Sequence, residues 1–298
     1  MSARAWLAFI CLGIFWGIPY LFIKLAVAEL SPFDVAWGRI TLAALVLLPI
    51  AWRRGELRAL LTHKGAVCAF ALVEFAIPFS LISLGERWIP SSVTAILIAT
   101  VPLTIALICR FFGIHERLGV MRLIGLTVGF AGVVALVGLG TLSGPSAWAG
   151  LACVLVSTIG YAMGALIIER HLHGVGSIGP VAGSLSIASL LLLVPAMLSL
   201  PAHMPSAVAL SSVAILGLVC TVLAMLLMFY LVKNAGASRA SVVTYLNPAV
   251  ATLLGMVLLG ERLGMGGLIG FGLVLLGSWL ATRGSAPEPQ AAAAEAAH

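Results

Sequence analysis

The chain alternates between long apolar runs and short breaks that carry charged or turn-forming residues. A bilayer core of about 30 Å is crossed by about 20 helical residues, and ten runs approach that length. The runs lack the strict alternation of apolar and polar residues that is typical of barrel strands. They therefore predict helices. The predicted spans are 5–25, 34–52, 65–84, 91–112, 121–140, 147–168, 178–199, 207–231, 239–259 and 264–282.

The composition supports a membrane protein. Hydrophobic residues make up 62% of the chain and charged residues 9%, whereas a soluble domain carries about 25% charged residues. The polar surface is too small to cover a water-soluble globule, and a backbone in lipid must satisfy its own hydrogen bonds. The predicted fold class is therefore an all-α integral membrane protein.

The basic residues predict the orientation of the spans. With a cytoplasmic N-terminus, twelve Lys and Arg residues fall on the inner side. Four, namely Lys24, Arg39, Arg87 and Arg262, fall toward the outer side. The positive-inside rule therefore predicts that both termini are cytoplasmic. Residues 284–298 are rich in Ala, Pro and Glu, and this composition predicts a disordered cytoplasmic tail.

An internal repeat is visible at an offset of about 145 residues. The sequence Glu116-Arg117-Leu118-Gly119 recurs as Glu261-Arg262-Leu263-Gly264. Each copy follows a helix with a proline near its start, Pro102 in the first and Pro248 in the second, and precedes a glycine-rich span. The ordered set predicts a first repeat at 1–140 and a second at 146–283.

Five spans per repeat is an odd number, so the second repeat is predicted to enter the membrane from the opposite side. Inverted repeats are typical of secondary transporters, whose substrate site lies at the repeat interface near the midplane. The alternative is an old duplication without alternating access.

On these paired motifs, together with Gly17 and Arg39, the chain resembles the EamA family of the drug/metabolite transporter superfamily, and bacterial aromatic amino acid exporters within it. The resemblance implies ten helices around a central cavity, export of a small metabolite, and a bacterial inner membrane location. It implies two partners, a small-molecule substrate and the lipid bilayer, with no cofactor. Whether the protein is a monomer or a dimer stays open.

Glu74 is the acidic residue predicted near the midplane, about ten residues into the third span. A charge at that depth is costly and usually faces a cavity or a partner. It could bind a substrate amino group or carry a proton. The alternative is a protonated carboxyl that is hydrogen-bonded within the bundle.

A second set combines aromatic and polar side chains placed inside spans. Such residues suit an apolar cavity with a few hydrogen-bonding groups, although ordinary packing or an interfacial aromatic belt is the alternative. The predicted cavity residues are Trp16, Tyr20, Thr100, Tyr161, Tyr245 and Asn247.

Prolines inside spans remove a backbone hydrogen bond and permit bending. Pro78, Pro102 and Pro248 are the predicted hinges, with a static kink as the alternative. Lys24 is expected to extend toward the headgroups. Arg39 is expected to pair with Asp34 or a helix end at the outer rim.

Three classes of substrate are possible for such a bundle. Aromatic or hydrophobic amino acids are favoured, and hydrophobic cationic drugs, which Glu74 and aromatic rings would bind, are the alternative. Sugar phosphates are disfavoured because no Lys or Arg is predicted near a midplane. An enzyme is disfavoured because metalloprotease, nucleophile-elbow and phosphate-loop motifs are missing from the sequence. The cysteine and histidine spacings predict no metal site, and the basic residues set orientation rather than bind nucleic acid.

Overall fold

The computed structural model describes residues 2–57, 60, 62–112, 120–138, 144–172, 178–236, 240 and 242–283. These ranges contain helices and connecting segments and no β-strand. In chain order the helices are α1 (Ala3–Ala26), α2 (Pro32–Arg53), α3 (Lys64–Gly85), α4 (Ser91–Phe111), α5 (Val120–Gly138), α6 (Pro145–His171), α7 (Ile178–Leu198), α8 (Ala207–Ala235), α9 (Val242–Leu258) and α10 (Met265–Arg283).

Seven of the described helices, α1 to α4 and α6 to α8, are long and apolar enough to cross a membrane. The apolar parts of α5, α9 and α10 are shorter. The chain is thus an all-helical, multi-pass membrane protein, as its composition predicts. Two predictions fall on segments outside the described residues: the Glu116–Gly119 motif and the disordered tail at 284–298.

The helices of the two halves pack against each other. Helix α3 contacts α6 and α7, whereas α8 contacts α1 and α2. Helix α4 packs against α9, and α5 runs along α10. The α5–α10 contact depends on small residues, since a Cβ at Gly132 would lie 2.7 Å from the backbone nitrogen of Val274. Glycine therefore permits a close backbone approach there.

Two helices contain π-helical segments at matching places. Ala71–Ala76 lies in the middle of α3, and Leu218–Leu223 lies in the middle of α8, 147 residues later (71 to 218). A π-helical turn leaves backbone groups less regularly bonded and is frequent at functional sites. Each segment therefore marks a local irregularity midway through its span.

Prolines coincide with interruptions of regular helix. Pro19, Pro102 and Pro248 each stand in the first turn of a new segment, after breaks in α1, α4 and α9. Pro78 is the second residue after the π-helical segment of α3. Proline is tolerated in a first turn because its missing N–H has no helical partner there.

Carboxylates from neighbouring segments cap several helix N-termini. Glu261 accepts hydrogen bonds from the backbone N–H groups of Ser91 and Ser92 at 2.7 and 3.0 Å. Glu56 accepts hydrogen bonds from the backbone N–H groups of Ile178 and Gly179 at 2.9 and 2.7 Å. A carboxylate stabilises the positive end of a helix dipole, so these contacts fix how α4 and α7 begin.

Candidate functional site

Arg39 lies inside the helix bundle, with only 8% of its surface exposed. It stands seven residues after the first residue of α2, Pro32, which corresponds to about 10 Å of helix. Its Nε donates a hydrogen bond of 2.9 Å to Oγ1 of Thr221 in α8. The guanidinium carbon lies 3.8 Å from the ring centroid of Phe79 in α3, a cation–π contact. Helices α3 and α8 thus hold the guanidinium in place.

The positive charge of Arg39 has no carboxylate partner among the residues that the structure describes. Its electrostatic neighbours are Tyr161, Cys220 and Tyr20. The predicted pairing with Asp34 is wrong, because Asp34 instead belongs to a capping box at the start of its own helix. A buried charge without a counter-ion is costly, so the surroundings of Arg39 favour binding of an anion.

Glu74 lies at the centre of α3, within the π-helical segment. It is ten residues from Lys64 and eleven from Gly85 at the two ends of the helix, which is the depth predicted from the sequence. Its side chain is half-buried and lies against Gly164 of α6, where a methyl group would collide with the carboxylate. Within the described ranges no hydrogen-bond donor serves this carboxylate.

Tyr161 connects the two charged residues. Its phenol group interacts electrostatically with Arg39, Tyr20 and Glu74, and its ring packs beside the core formed by α2, α3 and α7. Tyr20, Arg39, Glu74 and Tyr161 are called the interior polar cluster below. Three of these four were predicted as cavity residues, and the structure adds Arg39 to them.

Two predicted cavity residues are bonded elsewhere. Thr100 donates a 2.6 Å hydrogen bond to the carbonyl of Leu97 in its own helix. The hydroxyl of Tyr245 donates to the carbonyl of Ser278 in α10 at 3.1 Å. Both hydroxyl groups therefore satisfy backbone carbonyls, and their role in substrate binding stays a prediction.

The remaining two predicted cavity residues, Trp16 of α1 and Asn247 of α9, lie close to the break in α1. Trp16 is half-buried and packs beside a core that includes Leu12 and Val243. Asn247 has its backbone oxygen 3.0 Å from where a Cβ at Gly17 would lie, and its side-chain oxygen is buried without a donor. The binding role of both residues stays a prediction.

Lys24 is hydrogen-bonded within the protein and does not extend toward the headgroups. Its Nζ donates hydrogen bonds to the backbone carbonyls of Glu86 and Ile89, at 2.5 and 3.1 Å. The Glu86 side chain is fully buried, and both carboxyl oxygens lack a hydrogen-bond partner. Burial raises the pKa of Glu86 well above its usual range, and the nearby Lys24 opposes this shift while Glu261 adds to it.

A depression of about 380 Å³ lies apart from the interior polar cluster. Apolar side chains of α2, α3 and α7 line it, together with Lys64. It is therefore a feature of the bundle periphery, and the polar chemistry lies elsewhere. The part of the chain that the structure describes contains no group of His, Cys, Asp and Glu side chains able to hold a metal ion.

The location of Arg39 is what reasoning from the sequence missed. Arg39 lies toward one end of α2, not at its middle, but it is buried because α8 covers the guanidinium. The sequence contains one signal: Thr221 stands 147 residues after Glu74 (74 to 221), close to the repeat offset. The partner of Arg39 thus occupies the position in the second half that Glu74 occupies in the first.

Comparison with known proteins gives consistent matches over the whole length. The model of the EamA-like transporter family matches residues 3–138 and again residues 148–283. The "Uncharacterized inner membrane transporter YedA" of Escherichia coli (strain K12) is 30% identical over 283 residues, covering 93% of this chain and 90% of the relative. An "Uncharacterized transporter" of Archaeoglobus fulgidus is 28% identical over 94% of this chain and 99% of the relative.

One solved structure, described as "Crystal structure of protein", superposes with a TM-score of 0.66 at 21% sequence identity. The match covers 95% of this chain and 98% of that chain. At this level of identity the likeness concerns the fold, which the two chains share along almost their full lengths.

Proposed function

We propose that this chain, which belongs to the EamA-like transporter family, is a secondary transporter that exports amino acids with aromatic or hydrophobic side chains. The family and the relatives are named as transporters, which supports transport rather than catalysis. One structural observation supports the substrate class. The interior polar cluster holds a cation, Arg39, and a carboxylate, Glu74, both close to Tyr161.

The proposed mechanism is alternating access by two five-helix repeats, 1–140 and 146–283, that lie in opposite senses in the membrane. Three observations support it. One family model matches the chain twice, the π-helical segments recur 147 residues apart (71 to 218), and the third helix of each half packs against the first two of the other. Halves of nearly equal structure can exchange conformations, which opens a shared path to either side.

The proposed location is a bacterial inner membrane, with both termini in the cytoplasm. The relative YedA is named an inner membrane transporter, and the excess of basic residues on one side supports the orientation. Alternating access is reversible, so gradients set the direction, and the resemblance to exporters supports export.

The breaks in the helices are the proposed hinges. Pro102 and Pro248 stand at interruptions in α4 and α9, and Pro78 follows the π-helical turn of α3. Interrupted helices bend more easily because fewer backbone hydrogen bonds have to be broken. Pro102 and Pro248 also lie at matching places in the two halves, 146 residues apart (102 to 248), as exchange of conformations between repeats requires.

The alternative substrate class is hydrophobic cations. Glu74 could pair with such a cation, and the faces of Tyr20 and Tyr161 could add cation–π attraction. The buried charge of Arg39 opposes this alternative, because it interacts electrostatically with the same two tyrosines and repels a second cation.

A transport panel in proteoliposomes tests the proposal. Uptake of labelled phenylalanine, ethidium and a hexose phosphate is measured with and without a pH gradient, against liposomes without protein. We expect saturable uptake of phenylalanine alone. Uptake of ethidium alone would establish the alternative, and uptake of none of the three would contradict the transport proposal.

A further inference from the structure

We infer that the two Nη groups of Arg39 bind the carboxylate of the transported substrate, while Glu74 binds its ammonium group. This inference deepens the proposed function and rests on it. The substrate class that follows is the zwitterionic α-amino acid, whose carboxylate and ammonium group would each be bound by one of these two side chains.

The contacts of Arg39 leave one edge of the guanidinium available. Its Nε is used by Thr221, and one face of the group lies on the ring of Phe79. Neither Nη nitrogen has an acceptor among the described residues, although the residue is nine-tenths buried. A guanidinium presents parallel N–H groups that match the two oxygens of a carboxylate. The free edge is therefore suited to a planar anion.

The charge balance of the cluster points to the same ligand. Among the described residues Arg39 has no carboxylate partner and Glu74 has no hydrogen-bond donor, yet both lie close to Tyr161. Direct pairing of the two charges would satisfy both, but no such ion pair forms within the described ranges. A ligand that carries an anionic and a cationic group a few ångströms apart would neutralise both Arg39 and Glu74.

The surroundings indicate what the rest of the ligand is. Phe79 and Tyr20 are buried beside the guanidinium, so an aromatic or aliphatic substituent would meet apolar surface. A phosphate dianion fits less well, because one guanidinium leaves half of its charge unpaired and Glu74 would repel it. The carboxylate of an amino acid is therefore the anion that the site suits.

Matched analogues test the inference on the unaltered protein in proteoliposomes. Uptake of labelled phenylalanine is competed with phenylalanine, with 2-phenylethylamine, which lacks the carboxylate, with 3-phenylpropionate, which lacks the ammonium group, and with phenyl phosphate. We expect each single-charge analogue and phenyl phosphate to compete at least about 10-fold more weakly than phenylalanine, as expected for a lost charge-assisted hydrogen bond.

Variants of Arg39 and Glu74 then test which end of the substrate each residue binds. Arg39→Gln is expected to raise the KM for phenylalanine at least about 10-fold and to remove the preference for phenylalanine over 2-phenylethylamine. Glu74→Gln is expected instead to remove the preference for phenylalanine over 3-phenylpropionate. Arg54→Gln, at an exposed arginine just after α2, is the matched control and should transport as the unaltered protein does.

The outcomes separate the inference from the proposed function. If the unaltered protein does not transport phenylalanine, the proposed function fails and the inference fails with it. If it transports phenylalanine but 2-phenylethylamine or phenyl phosphate competes equally well, only the carboxylate assignment to Arg39 is overturned. The analogue series on the unaltered protein decides this even if Arg39→Gln does not fold.

Discussion

Nε of Arg39 donates a 2.9 Å hydrogen bond to Oγ1 of Thr221, across 182 positions of sequence. The bond joins α2 in the first half of the chain to the π-helical segment of α8 in the second. Because the guanidinium is the buried cation of the interior polar cluster, movement of α8 relative to α2 would also move the charge. This bond therefore couples the relative position of the two halves to the proposed substrate site.

Replacing Thr221 with valine tests that coupling. The change keeps the shape of the side chain but removes the acceptor, and a hydrogen bond to a charged group contributes about 1.5–3 kcal/mol. We expect the KM for phenylalanine to rise about 10-fold in proteoliposomes, because Arg39 loses its orientation. Thr127→Val is the control, since Thr127 is exposed and bonds within its own helix. Equal kinetics of the two variants would contradict the coupling.

Gly164→Ala tests the position of Glu74. A methyl group at this position would meet the Glu74 carboxylate, so the carboxylate has to move away from α6. We expect uptake of phenylalanine to fall at least about 10-fold, as for a misplaced charge-assisted contact. Gly272→Ala is the matched control because the space around Gly272 is open. If both variants transport equally, Glu74 is not held where transport requires it.

Glu74→Gln separates charge from shape at the middle of α3. We expect expression and thermal stability to be kept, because a neutral side chain at this depth is less costly than a charge. Transport of phenylalanine should be lost or should change its dependence on pH. If the variant keeps the uptake rate and pH profile of the unaltered protein from pH 5 to 9, Glu74 is not part of the site.

The carboxylate cap of α4 predicts a loss of stability. Glu261 accepts three hydrogen bonds, from the N–H groups of Ser91 and Ser92 and from the Ser92 hydroxyl at 2.6 Å. Glu261→Ala is expected to destabilise the protein by about 1–3 kcal/mol, measured as a lower unfolding temperature in detergent. Glu29→Ala is the comparison: Glu29 bonds Ser206 from an exposed position and should have the smaller effect. The reverse order would contradict the proposed contribution of the cap.

Glu86 predicts a dependence of stability on pH. Burial raises its pKa in the folded protein, so the folded state holds the proton more tightly than the unfolded state does. Stability is then fully present below the ordinary glutamate pKa of about 4.3 and is lost as pH rises toward the folded value. The side chain of Glu86→Gln cannot ionise, so the unfolding temperature of this variant should fall less between pH 5 and 9 than that of the unaltered protein. Parallel curves would show that the pKa of Glu86 is the same in the folded and the unfolded state, which would contradict this account.

The sequence predicts the helices well because lipid fixes their composition. Long apolar runs have no alternative structure in a bilayer, so predicted span ends agree with the helices to within a few residues. The break at Pro102 follows from the chemistry of one residue. The same holds for the depth of Glu74, which depends only on counting along α3.

The site was less predictable because it depends on contacts between distant segments. Counting along α2 places Arg39 near a helix end, but only the packing of α8 shows that Thr221 covers it. The π-helical turns depend on a one-residue misfit of the helix to its neighbours, which composition does not encode. Glu86 follows the end of a span, where the sequence alone does not predict that its side chain is fully buried.

Counterflow tests the central claim most directly. Proteoliposomes loaded with unlabelled phenylalanine are diluted into buffer with a trace of labelled phenylalanine, and internal label is followed over time without an ion gradient. A carrier with one site that alternates between the two sides gives a transient accumulation of label, which Arg39→Gln should strongly reduce. No accumulation with phenylalanine, together with accumulation of a labelled hydrophobic cation, would contradict the account.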